Sequence, residues 1–392
     1  MKTVFLTGAT GAIGSALTPL FLREQDTEVR LLLRADSEDH LRQRLNGLLR
    51  FWRIDENDSR IAGRVIALRG DVCAPHLGLD ESSYRKLAAE VTHVVHAAGN
   101  VKLNQTLAEA RRNALDAARQ IVAFVHSCRR HDRFHKVDLV STVGVAGRTR
   151  GLVPEEPMRG VRSYHNTYEA AKAEAEAFVL EEIAKGLPAT LHRPSMVVGD
   201  SRSGEIIHFQ VFYHLSDFLM GCRTRGFVPR TGDIKLDIIP VDYVARILHE
   251  SSARPETIGR IFHLCSGPEY ALSLAEITER LRDLAARHSR SLPPLRRLHP
   301  RWFRACLPLV RWLVPRKSRR AFQGLHFFLA YLDEEQVFDN KQVRDFFSPL
   351  GIAIPRVPDY LSAIMGYYWK AKHPLLVRGG NAESDSPLSG CR

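Results

Sequence analysis

The sequence predicts an α/β fold, with a doubly wound parallel sheet over residues 1–265 followed by a smaller, mainly helical C-terminal region. Three observations predict it. Short apolar runs alternate with stretches of helical period through the first half of the chain, the pattern of parallel strands joined by crossover helices. The first apolar run leads into TGATGAIG (7–14), with Gly8, Gly11 and Gly14 at a strand-to-helix turn. With 392 residues, 44% hydrophobic and 26% charged, the chain can bury a sizeable core.

Taken in order, TVFLTG (3–8) reads as a buried strand and the stretch after Gly14 as a helix. VRLLLR (29–34) is a second strand, and SEDHLRQRLNGLLRFW (37–52) places its apolar residues at helical spacing. RVIALRGD (64–71) and THVVHAA (92–98) are the third and fourth strands, and a long helix spans about 105–128. KVDLVST (136–142) is the fifth strand, 167–185 a helix, and ATLHRPSMVVG (189–199) a sixth strand running into a loop. A substrate-side insertion is expected at about 200–235 and a helical lid region over 266–377. The Gly/Ser-rich tail 378–392 is expected to be disordered.

Several function classes are disfavoured by residue placement. Six scattered cysteines without a C-x-x-C pair form neither a disulfide framework nor a zinc site, so a reducing compartment is expected. His93 and His96 sit three apart in a strand and point to opposite faces, which argues against a metal pair, and no metal is expected. The N-terminal apolar stretch is broken by glycines and threonines at fixed intervals, unlike a secretory leader. No window reaches the ~18–20 apolar residues of a membrane span, so the expected location is the cytoplasm or a membrane face.

The net charge is +12, and ten basic residues with no acidic one fall between 290 and 320, so most of the excess is local. The remainder is close to neutral, which argues against a nucleic-acid-binding face. Within that segment, RWFRACLPLVRWLVPRKSRR (301–320) mixes tryptophan, aliphatic and basic residues. That composition suits peripheral contact with an anionic membrane. The alternatives are a solvated basic face, or docking of an acidic carrier protein or of CoA phosphates.

The glycine-rich turn is the first candidate site. A tight turn, close approach to a pyrophosphate and close helix packing each need a residue without a Cβ. The first-turn N–H groups around Thr10, Gly11, Ala12 and Ile13 then face the phosphates. Strand two ends at Arg34, where an acidic residue would suit NAD; a guanidinium suits the 2′-phosphate of NADP, and NADPH is the expected cofactor. Arg44 is a second candidate partner, while the nearby Asp36 favours the opposite preference. Asp71 and Val72 after strand three, and Ala97, Ala98 and Gly99 after strand four, complete a cleft at the strand ends.

TGATGAIG, GDV (70–72), HAAG (96–99), the Ser–Thr pair at 141–142 and Tyr168-x-x-x-Lys172 occur in that order. Together they resemble the extended short-chain dehydrogenase/reductase superfamily, which implies a Rossmann-type sheet. LLLRADSEDHLRQRL, DVCAPHLGLD, HAAGNVKL, LVSTVGVAG, LHRPSMVVGDSRSGEI and LDIIPVDYVARIL further resemble thioester reductase domains and fatty acyl-CoA reductases, over roughly residues 1–265. The resemblance implies that Tyr168 exchanges a proton at the substrate oxygen and that Lys172 lowers the phenol's pKa and holds the nicotinamide ribose. It also implies that Thr142, with Ser141 as the alternative, stabilises the oxyanion. Pro194, Ser195 and Met196 are expected to line the cofactor, and Asn113 to support the site from the long helix.

The implied reaction is NADPH-dependent reduction of an acyl thioester to an aldehyde, with alcohol as a further product. The sequence holds no adenylation or carrier segment of its own, so the acyl group is expected on CoA or a separate acyl-carrier protein. HFQVFYHLSDFLMG (208–221) and GLHFFLAYL (324–332) either pack a lid core or line an acyl channel. Two other readings use the same residues: a dehydrogenase or epimerase of a nucleotide sugar or sterol, and a cofactor-binding module without catalysis.

Overall fold

The computed structural model describes residues 1–230, 234–299, 303 and 335–372, apart from 56, 57, 59, 60 and 62. The basic stretch 301–320, save Phe303, the run 324–332 and the tail 378–392 lie outside the described residues.

Seven strands form one parallel sheet. They are β1 (Lys2–Thr7), β2 (Thr27–Leu33), β3 (Val65–Arg69), β4 (His93–His96), β5 (Lys136–Val140), β6 (Ala189–Pro194) and β7 (Ile261–Leu264). Their order is β7-β6-β5-β4-β1-β2-β3, so the winding reverses between β1 and β4. The crevice at such a reversal, beyond the carboxyl ends of the strands, is where ligands of open α/β sheets bind. Strands β1, β5, β6 and β7 are buried along nearly their whole length, which is why they read as apolar runs rather than alternating ones.

The connecting helices are α1 (Ala12–Leu22), α2 (Glu38–Phe51), α3 (Glu81–Glu90), α4 (Leu107–Arg111), α5 (Ala117–Cys128) and α6 (Thr167–Ala184). Local chemistry sets their starts. Ser37, Asp80 and Asn166 cap α2, α3 and α6 with side-chain oxygens, and Thr106 with Glu109 forms a capping box on α4. Between α4 and α5 lies one π-helical turn, Arg112–Asp116, a distortion that favours functional positions. It carries Asn113.

The structure adds to the sequence reading at three places. A seventh strand, β7, extends the sheet. The expected strand 189–199 is two: β6 ends at Pro194, and Met196–Val198 pairs instead with Ile238–Pro240, leaving the main sheet. The region beyond contains short strand pairs among its helices, Phe227–Pro229 with Arg296–Leu298 and Lys235–Leu236 with Leu272–Ser273. In the helix Val211–Leu219, Phe212, Tyr213, Leu215, Phe218 and Leu219 are buried against Tyr360, Ile364 and Tyr368. They pack a core of their own.

The chain then returns to the sheet. Gln336–Phe338 pairs with Gly151–Val153, and the helix Lys341–Phe347 places Val343 and Phe347 in the same cluster as Phe262 and Leu264 of β7. Glu155 fastens this return. Its buried carboxylate accepts the backbone N–H of His263 at 2.8 Å and of Val343 at 3.3 Å, and that of Gln342 as well. Each buried donor left without a partner costs about 1–3 kcal/mol. Glu155→Ala should therefore speed hydrogen exchange at the Gln342 and Val343 amides and lower the melting temperature. Unchanged protection at both amides would contradict this role.

Candidate active site

The residues singled out in the sequence meet at the carboxyl edge of the sheet. Gly8 has φ +84°, in the left-handed region, and a Cβ there would stand 2.5 Å from the Ala98 nitrogen. A Cβ on Gly14 would strike the Gly8 carbonyl, so α1 can lie against the turn only with glycine at that point. Gly11 caps α1 and donates its N–H to the Gly8 carbonyl at 2.9 Å. Thr10, Gly11, Ala12 and Ile13 stay partly exposed at the helix N-terminus, where free N–H groups and the dipole favour an anion.

Across the turn, Ala97 and Ala98 end β4 and are tied to Thr7, whose carbonyl accepts from Ala97 N at 3.1 Å. Gly99 follows, and a Cβ there would meet nothing within 4 Å. Asp71 and Val72 lie on the loop after β3, with Asp71 Oδ1 accepting from Cys73 N at 3.0 Å. Pro194, Ser195 and Met196 mark the point where the chain leaves the sheet, and Ser195 N donates to the Leu264 carbonyl at 3.0 Å.

Arg34 is exposed at the end of β2. Arg44 is only partly exposed and reaches back from α2, with Nη1 on the Arg34 carbonyl at 2.6 Å and Nη2 on Thr10 Oγ1 at 3.1 Å. One guanidinium thereby bridges the glycine turn and the end of β2. The two arginines therefore lie at one corner, between the glycine turn and the end of β2.

Tyr168 and Lys172 project one turn apart from α6. Lys172 Nζ donates to the Val140 carbonyl at the end of β5, at 2.8 Å. The Thr142 hydroxyl accepts from Gly144 N at 3.1 Å and lies near enough to the Tyr168 phenol to influence its ionisation. Ser141 is not equivalent to Thr142: it is buried, and its hydroxyl donates to Glu176 Oε2 at 2.5 Å. Around them, Gln105 joins three elements by donating to the Asn100 and Lys102 carbonyls while accepting from Asn113 Nδ2 at 2.8 Å and, at its own carbonyl, from Thr167.

Electrostatics separate the two groups. Burial pushes Tyr168 up to about 12, the Glu169 charge adding to it and the nearby Thr142 hydroxyl opposing it. Lys172 is not among the groups that shift it, so the lowering expected from the lysine is not seen. The phenol is therefore held as a neutral acid, the form that can give a proton to a developing oxyanion. Burial pushes Lys172 down to about 8, with the Glu176 charge opposing it. His96, buried and close to Lys172, is pushed down to about 3 and is neutral.

Sequence reasoning passed over the groups behind these residues. Arg193 is fully buried, with Nε 3.1 Å from each Glu176 oxygen and Nη2 2.5 Å from Oε1. Its Nη1 meets His263 Nε2 at 3.0 Å. A second enclosed pair, His165 with Glu169 at 2.9 Å, sits at the start of α6. An arginine inside the apolar run ATLHRPSMVV was the available signal, because a strand buried on both faces can hold a charge only with a partner.

With this geometry in view, a family model described as male sterility protein matches residues 6–248. The chain belongs to that family. It is a nicotinamide-dinucleotide-binding family of the extended short-chain dehydrogenase/reductase type, with thioester reductase-like members. The chain is 28% identical over 285 residues to L-2-aminoadipate reductase of Schizosaccharomyces pombe, covering 68% of this chain and 19% of that protein. It is 25% identical over 403 residues to aldehyde reductase lnaA of Aspergillus flavus, covering 99% of this chain and 37% of that protein. It thus spans between about a fifth and two fifths of these two relatives. Among solved structures, the terminal R domain of the myxalamid PKS-NRPS pathway superposes with a TM-score of 0.78 at 26% identity, over 96% of this chain and 92% of that one. An archaeal thiolation-reductase di-domain shares the fold, with a TM-score of 0.73 at 20% identity over 95% of this chain and 76% of that one.

The pH dependence follows from Lys172. A lysine whose pKa is lowered to about 8 loses its charge as pH rises through that value, while Tyr168 stays protonated to about 12. Cofactor binding and kcat/KM should therefore fall together above about pH 8. A flat profile from pH 7 to 10 would contradict a charged Lys172 at the site.

Proposed function

We propose that this protein is an NADPH-dependent reductase that converts an acyl thioester, carried on CoA or an acyl-carrier protein, to an aldehyde. The observation that carries the reading is the meeting of the Thr142 and Tyr168 hydroxyls, just past the end of β5, with a half-buried lysine bonded to the Val140 carbonyl. Membership of the male sterility family supports it, as does similarity to chains described as reductases.

When bound, the nicotinamide supplies the hydride. Gly8, Thr10, Gly11, Ala12, Ile13 and Gly14 would hold the pyrophosphate, Arg34 and Arg44 the 2′-phosphate, and Asp71 and Val72 the adenine side. Ala97, Ala98, Gly99, Pro194, Ser195 and Met196 would flank the nicotinamide half. Lys172 would hold the ribose and keep positive charge near the reacting centre. Thr142 and Tyr168 donate to the thioester oxygen as it gains charge, and Tyr168 completes the transfer of a proton. The resulting hemithioacetal loses its C–S bond, so that one thioester, one NADPH and one proton give aldehyde, thiol and NADP⁺. A second hydride transfer would give the alcohol.

Among the described residues no helix is long and apolar enough to cross a membrane. A cytoplasmic protein with peripheral membrane contact through 301–320 fits the composition of that segment. The likeness to sugar-nucleotide epimerases is at 17% identity and a TM-score of 0.61, so it speaks only to the fold.

NADPH oxidation should require the thioester and peak at one acyl length across a panel of acyl-CoAs and acyl-carrier proteins. Oxidation with UDP-sugars or sterols instead would overturn the reading. Tyr168→Phe should lower kcat by about 10²–10⁴-fold, the usual contribution of a general acid, with NADPH affinity nearly unchanged. Full activity in that variant would remove Tyr168 as the proton donor. Arg34→Asp should weaken NADPH binding by roughly 10–100-fold, as loss of a charge-assisted bond implies, and leave NADH binding little changed. Equal losses with both cofactors would rule out a 2′-phosphate contact.

A further inference from the structure

We propose that Glu176 is a positioning residue for Lys172: a carboxylate fixed by Ser141 and Arg193 that keeps the lysine charged and directed at the Val140 carbonyl. The inference rests on the role given above to Lys172, and it concerns residues that no step of the reaction touches.

The geometry is specific. Glu176 lies four residues after Lys172, on the same face of α6. Its carboxylate is buried, 4% exposed, and is engaged from two directions. Ser141 Oγ donates from the end of β5 at 2.5 Å, and Arg193 presents a two-pronged guanidinium from β6. Arg193 is itself held, because His263 Nδ1 bonds the Asp339 carbonyl at 2.8 Å and so leaves Nε2 to accept from Nη1 at 3.0 Å. The chain of contacts therefore runs from α6 through β6 and β7 to the returning C-terminal segment.

The surroundings of Lys172 show why such a group is needed. On its own helix Tyr168 precedes it by one turn and Glu176 follows it by one turn, and the Glu176 charge acts on it. His96 faces it from β4 and is neutral. From β5 comes the Val140 carbonyl; Ser141, the next residue, and Arg193 of β6 hold Glu176. Burial disfavours the ammonium, and Glu176 supplies the charge that opposes this loss. An ion that must stay charged in a closed site needs a fixed counter-charge, and a carboxylate free to rotate would not provide one. Ser141 and Arg193 remove that freedom.

The test measures the titration of Lys172 directly, by competitive labelling with acetic anhydride and mass spectrometry on the full chain. Glu176→Gln should lower the Lys172 midpoint by about one unit, a tenfold change in its proton dissociation constant. Glu176→Asp should restore most of it, and the alkaline limb of kcat/KM should move in parallel. Because Glu176→Gln leaves Arg193 buried without its partner, Glu176→Gln/Arg193→Gln is measured beside it. This variant removes both charges and should lower the midpoint in the same direction. An unmoved midpoint in whichever of these neutralised variants folds would overturn the proposal, whereas a shifted midpoint in a protein that reduces no thioester would sustain it and sink only the reductase reading.

Discussion

Arg193 is fully buried, and the active-site half of the molecule is built around keeping its guanidinium satisfied without water. Removing an ion from water costs several kcal/mol even after relaxation, and leaving one partner of a buried pair alone costs about 3–5 kcal/mol. The chain meets this with Glu176 from α6, His263 from β7 and, through His263, the Asp339 carbonyl of the returning segment. Such a pair adds little net stability over apolar packing, but it permits one arrangement only. The pitch of α6 against β5 and β6 is thereby specified, and with it the places of Tyr168 and Lys172. Thr142, Tyr168 and Lys172 need a common frame, since a proton donor misplaced by about 1 Å can cost a hundredfold in rate.

A second constraint operates at the other side of the crevice. Gly8 and Gly14 are places where backbone meets backbone, so helix α1, the turn and the end of β4 interlock without side chains between them. Gly99, the residue after Ala98, is exposed, so this close backbone contact ends there.

The parts legible in the sequence were those set by neighbours along the chain. A left-handed turn needs glycine, a helix start needs a cap, and a Tyr/Lys pair one turn apart is visible as text, so the glycine turn, the alternation of parallel strands with helices and α6 could be read directly. The parts that escaped depend on contacts between distant residues. Glu155 meets Gln342 across 187 positions, and Arg193 meets His263 across 70. The return of 336–347 to the sheet left no local mark, and the short run IFHL (261–264) carried no periodicity to announce β7. Serine and threonine at 141 and 142 are interchangeable as text. Only the direction each takes beyond the end of β5 separates a hydroxyl bound to Glu176 from one that lies near Tyr168.

The central claim is that a hydride passes from NADPH to a thioester carbonyl beside Tyr168. Its most direct test is to supply NADPH deuterated on each face of C4 in turn, with an acyl-carrier or acyl-CoA substrate, and to weigh the product. The account predicts an aldehyde, or an alcohol derived from it, one mass unit heavier with one of the two labelled cofactors and unlabelled with the other, with free thiol released in step. Thiol release without deuterium in the carbonyl product would mean hydrolysis rather than reduction and would contradict the account.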